Sequence, residues 1–99
     1  MVKHIVLFQL NPEMDVRRKA EVMDAFKAGI EALPEKIPFI RKIEVGLNGN
    51  PEELFDIALY SEFDSMDDVK AYAVHPAHQA VAALLRDCKK NRSCVDYEV

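Results

Sequence analysis

VKHIVLFQL, residues 2–10, is the stretch from which the architecture follows. It is β-branched and aromatic, and it is apolar on both alternating faces. Val6, Phe8 and Leu10 fall on one face, and Ile5 and Leu7 on the other. An amphipathic edge strand would be apolar on one face only, so a strand with two apolar faces belongs in the middle of its sheet. Asn11-Pro12-Glu13 reads as a helix opening, with Asn11 as cap, Pro12 in the first turn and Glu13 at the positive end. Ala20, Met23, Phe26, Ile30 and Leu33 then recur at helical spacing, until Pro34 and Pro38 end the helix.

The rest of the chain repeats the alternation. Phe39 to Leu47 reads as a second strand, with Phe39, Ile43, Val45 and Leu47 turned one way. Asn48-Gly49-Asn50-Pro51 marks a turn, and Leu54 to Phe63 reads as a third strand antiparallel to the second. Asp56, Tyr60 and Glu62 are assigned to its polar face, where they meet Lys42 and Glu44 across the hairpin. Ser65-Met66-Asp67-Asp68 is a capping pattern that opens a helix. The helix breaks at His75-Pro76 and restarts with Ala77, Val81, Leu84, Leu85 and Cys88 inward and Lys89 and Lys90 at its end. Ser93 to Val99 is the last strand.

The order is βαββαβ, an α+β ferredoxin-like arrangement with a four-stranded antiparallel sheet. Two helical segments cover one face of such a sheet. The apolar residues on the uncovered face then need a partner, and a second copy of the chain is the direct solution. A homodimer is therefore expected, with the two sheets closing into an α+β barrel.

Composition narrows the function without naming it. The 99 residues are 49% hydrophobic and 30% charged, which suits one globular domain over residues 1–99. Thirteen basic against seventeen acidic side chains give a net charge of −4, and no basic stripe interrupts the balance. Nucleic acid is accordingly not an expected partner. No apolar run reaches the length of a membrane span, so no membrane association is expected and a cytoplasmic location is. Cys88 and Cys94 are read as free thiols.

The candidate site gathers around the helix break. His78 lies near the start of the restarted helix, where the positive helix end disfavours an imidazolium and leaves a neutral base. Tyr72 lies on the other side of the break, and His4, Val6 and Phe8 share a face of the central strand. In this reading His78 removes a proton next to a carbonyl and Tyr72 donates to the developing oxyanion. His4, His75, Val6 and Phe8 would surround the substrate. The alternative is structural: Tyr72 packed and bonded to a carbonyl, His75 as a cap and His78 as a core histidine. His75 and His78, three apart, with His4 as a third, are the candidate metal ligands. Pro76 breaks their helical spacing and no carboxylate is evident to complete the set, so a metal is not expected there.

Three segments together resemble one family. They are Val2-Lys3-His4-Ile5-Val6-Leu7-Phe8, Tyr72-Ala73-Val74-His75-Pro76-Ala77-His78 and Val95-Asp96-Tyr97. The chain is similar, end to end, to the stress-responsive A/B barrel domain (Dabb) family. The resemblance implies a dimeric α+β barrel without cofactor or metal. One plant member is a polyketide cyclase that closes a linear substrate by an intramolecular aldol step, and its working residues match Tyr72 and His78, with His4 matching a histidine in the same region. Unlike the cyclase-type members, this chain has no tryptophan, and its first helix offers mainly Met23 and Phe26 to a pocket. Other members are stress-associated proteins without assigned chemistry, and related dimeric barrels include cofactor-free monooxygenases. A pocket of roughly 300 Å³ or more would favour ligand chemistry, and a filled interior would favour a non-catalytic stress-associated dimer.

Overall fold

The strand read first in the sequence lies inside the sheet. In the computed structural model, which describes residues 1–99, β1 (Val2–Leu10) is followed by α1 (Val16–Glu31) and a 3-10 turn at Leu33–Glu35. Then come β2 (Lys42–Leu47), β3 (Ile57–Phe63), α2 (Met66–Val74), α3 (Pro76–Ala82), a second 3-10 turn at Ala83–Leu85, and β4 (Lys89–Glu98). The four strands form one sheet in the order β2-β3-β1-β4, and every pairing is antiparallel. The fold is ferredoxin-like α+β, with the helices on one face.

Several element boundaries differ from the sequence reading. The first helix starts five residues after Asn11. Asn11 caps only a local turn, accepting from the Glu13 N–H at 3.0 Å, while its own N–H donates to the Cys88 carbonyl at 2.7 Å. Asp15 is the helix cap and accepts from the Arg18 N–H at 3.1 Å. Phe39 precedes β2 in an apolar turn whose Ile37 and Ile40 are buried. Leu54 and Phe55 precede β3. Asp56 is likewise outside the strand and faces the opposite way from its assignment. It accepts from the Leu10 N–H at 2.8 Å and pairs with Lys19 at 2.8 Å, which pins the irregular end of β1. The last strand begins at Lys89, because nine-residue β1 pairs with it as far as Leu10. Lys89 and Lys90 are therefore strand residues and compensate no helix dipole.

The core forms where β1 and β3 meet the helices. Val2, Val6, Leu10, Ile57, Leu59 and Phe63 pack under Phe26, Ile30, Val69, Tyr72 and Leu85. Ala20 is exposed, and Val22 takes its place on the inner stripe. Leu84 is exposed too, while Leu85 is buried. Gly29 lets α1 and α3 approach: a Cβ there would stand 2.9 Å from a Val81 methyl carbon. Both cysteines are free thiols.

The two sheet edges are finished differently. On β2, the outward Val45 carbonyl accepts from Lys27 Nζ at 2.5 Å, and the Val45 N–H donates to Glu31 at 3.1 Å. Side chains of α1 thus occupy an edge that would otherwise offer backbone groups to another strand. On β4 all ten residues are exposed in the single chain. The helix-free face carries Ile5, Leu7, Val95 and Tyr97, the last three being 37%, 53% and 42% exposed. Tyr60 lies among them, between Lys3 and Lys42, whose ammonium groups stand 5.8 and 5.7 Å from its ring centre. No helix is long and apolar enough to cross a membrane.

Candidate functional site

The helix break is a hinge built from local rules. Ser65 caps α2 by accepting from the Asp68 N–H at 3.2 Å, and the helix runs to Val74. The ring of Pro76 clashes with a helical residue before it, so His75 turns extended, with φ −63° and ψ 133°. His75 Nδ1 then accepts from the Ala77 N–H at 3.0 Å and caps α3. The change of direction folds His78 back over Tyr72, and their ring centres are 4.4 Å apart.

Each of the two side chains is held in a defined state. His78 Nδ1 lies 3.1 Å from the Ala73 carbonyl oxygen, which Gln79 also approaches at 2.8 Å. A carbonyl only accepts, so Nδ1 carries the hydrogen and Nε2 keeps its lone pair. Burial holds the His78 pKa below its ordinary value, only partly opposed by the bond to Ala73, and the nearby charges of His4, Arg92 and His75 lower it further. The imidazole is thus neutral at pH 7, as expected from the sequence, but desolvation rather than the helix end is the main cause. Tyr72 is 1% exposed, and its hydroxyl is buried without a hydrogen-bond partner. Burial raises its pKa, so the phenol keeps its proton.

β1 and β4 supply the other wall. Register sets His4 opposite Asp96, and His4 Nδ1 is hydrogen-bonded to the Asp96 carboxylate. The His4 ring meets Tyr72 edge-on at 6.1 Å. Cys94 Sγ lies 3.7 Å from the same His4 nitrogen. The expectation that no carboxylate stands near the histidines therefore needs correcting. His4, Cys94 and Asp96 bring three ligand atoms within 4.8 Å of one another, and they are the residues that could hold a metal ion. The Cys94 thiol is kept protonated by burial and then by the Asp96 charge, which opposes metal binding.

Between these walls lies a cavity of about 140 Å³. His4, Val6, Phe8, Tyr72 and His78 all line it, over an apolar floor of Phe26, Leu59 and Leu85. His75 is not among the lining residues; its ring stays at the hinge as a cap. The cavity is less than half the volume set as a threshold from the sequence. Phe8 and Phe26, both in the lining, meet edge to face at 5.5 Å. Lys89, read in the sequence only as a helix end, and Arg92, not singled out there, also line it. Nor was Asp96 given a role. The signal for Arg92, Cys94 and Asp96 was their shared parity along one strand. It becomes legible once that strand is paired with β1.

Comparison with known proteins finds relatives of the whole chain. A crystal structure of a dimeric protein of unknown function with a ferredoxin-like fold, from Bacteroides fragilis, is 60% identical, with a TM-score of 0.98 over 99% of this chain and 95% of that one. A dimeric ferredoxin-like protein of unknown function from Thermobifida fusca is 26% identical, with a TM-score of 0.78 over 99% and 90% of the two chains. An uncharacterized protein of Streptomyces coelicolor is 37% identical over 90 residues, covering 88% of this chain and 89% of its own. The pattern of the stress responsive A/B barrel domain matches residues 2–99, and the chain belongs to that family.

Proposed function

We propose that the chain acts as a homodimer in which each protomer's cavity binds a small carbonyl compound and performs cofactor-free acid–base chemistry on it. His78 Nε2 takes a proton from the carbon next to the carbonyl. The C–H electron pair moves into the carbonyl, and Tyr72 donates its hydrogen to the developing oxyanion. In an aldol closure the same enolate carbon would attack a second carbonyl of the same molecule. The cavity volume of about 140 Å³ limits that substrate to a short one. The observation that carries the reading is a neutral imidazole with a free lone pair, tilted against a buried phenol that has no partner of its own. His4, oriented by Asp96, supports Tyr72 from the other side.

The homodimer is supported by the apolar face of Ile5, Leu7, Val95 and Tyr97, and by relatives described as dimeric. The test of the chemistry is hydrogen–deuterium exchange at the carbons flanking the carbonyl of a small ketone such as acetylacetone, followed by NMR in heavy water. Exchange accelerated by the protein and lost in both His78→Ala and Tyr72→Phe is expected. Rates identical in the native protein and both variants would overturn the proposal. They would favour the second reading, a non-catalytic stress-associated dimer, which the small cavity and the backbone bonds of His75 and His78 support.

A further inference from the structure

The cavity has two chemically different ends. Its buried side is lined by Tyr72, whose hydroxyl is a buried donor with nothing to donate to. Its rim is cationic. Register places Arg92 opposite Phe8 and Lys89 opposite Leu10, and both side chains line the opening. The protein's ion pairs are His4–Asp96, Lys19–Asp56, Lys27–Glu31 and Arg41–Asp64. Arg92 and Lys89 belong to none of them and are the two Lys/Arg side chains among the cavity's lining residues. Asp96, on the same face of β4 as Arg92, is already engaged by His4. Two unpaired cations at the mouth of an apolar cavity attract an anion, and the low-dielectric wall strengthens the attraction.

Resting on the reading of this cavity as a ligand site, we infer that its ligands are short oxo acids, with the carboxylate held by Arg92 and Lys89 and the ketone oxygen accepting from Tyr72. A guanidinium matches a carboxylate in a two-pronged bond, and the phenol requires an acceptor at the far end of the same molecule. The carbon between the two groups is the acidic one, and it would lie under His78. At about 140 Å³ the cavity suits a small molecule of a few carbons rather than a long chain.

The test is a titration of the intact protein with three probes, read from the NMR shifts of the His78 ring. Acetoacetate carries both groups, 4-hydroxy-2-butanone keeps the ketone without the charge, and butyrate keeps the charge without the ketone. Acetoacetate is expected to bind at least about tenfold tighter than either of the others. Arg92→Gln, an exposed position whose change leaves the core intact, should bring the acetoacetate to hydroxybutanone ratio close to one. Added salt should compress the same ratio in the unmutated protein. Equal binding of the charged and uncharged ketones, or a ratio untouched by Arg92→Gln, would overturn the oxo-acid inference while leaving a neutral-ketone site standing. Competition by inorganic phosphate as strong as that by acetoacetate would overturn it as well, since the rim would then be a general anion patch. Failure of all three probes to move the His78 signals would remove the ligand site itself, and this inference with it.

Discussion

Replacing Tyr72 by phenylalanine should make the ligand-free protein more stable. The side chain is 1% exposed, and its hydroxyl has no hydrogen-bond partner. A buried donor left unpaired costs about 1–3 kcal/mol of desolvation that the unfolded chain does not incur. Deleting one oxygen sacrifices only a few contacts worth about 0.1–0.2 kcal/mol each. The ring contacts with Phe63 at 5.0 Å and His78 at 4.4 Å survive in phenylalanine. The net expectation is a gain of about 1 kcal/mol, or about 4–8 °C in melting temperature for a domain of this size. Urea unfolding at a fixed protomer concentration measures it, because dimerisation would make the midpoint concentration-dependent. The same variant should lose acceleration of ketone exchange. Stability and function would then move in opposite directions, the signature of a side chain kept for a ligand. A loss of 1 kcal/mol or more would show that the hydroxyl is satisfied in the folded protein. Both the acid role of Tyr72 and the inner end of the proposed site would fall with that result.

Three further outcomes are expected. His78 has a folded pKa below its ordinary value of 6.5. As pH falls below about 6.5 the unfolded chain takes up the proton first, so stability should decline between pH 7 and pH 5, and His78→Asn should flatten that decline in urea titrations at the two pH values. Gly29→Ala gains about 1 kcal/mol of helix propensity but places a Cβ 2.9 Å from stiff Val81, whose overpacking costs about 1–3 kcal/mol. A net loss of about 1 kcal/mol is expected, reversed when Val81 is also alanine, and a stabilised single variant would refute the close approach of α1 and α3. Leu7→Asp puts a charge in the middle of the open apolar face, and sedimentation should then show monomers where the parent protein sediments as a dimer; an unchanged mass would place the interface elsewhere.

Features governed by neighbours in the chain are legible in the sequence. The two apolar faces of residues 2–10 marked the inner strand, Ser65 marked the start of α2, and Pro76 marked the break that brings Tyr72 and His78 together. The start of α1 was not legible, because Asn11 and Asp15 are both competent caps. The choice is made by the Asn11 N–H, which is bound to Cys88 at the far end of the chain. The same applies to Lys89 and Lys90: their charge suits a helix terminus, and pairing with β1 makes them strand.

For the site, the imidazole and the phenol were visible as residue types flanking a break. Asp96 and Arg92 were not, since their roles depend on the register of β1 against β4, strands that sit at opposite ends of the sequence. Cavity volume was equally hidden. It depends on how the Phe8 and Phe26 rings meet between a strand and a helix, which no local pattern records. Periodicity, capping and proline stereochemistry act within a few residues, so the chain alone settles the element order and the hinge. Burial, ion pairing and empty space are sums over distant segments, and they took definite values for His78, Tyr72 and Arg92 once the sheet had closed under the helices.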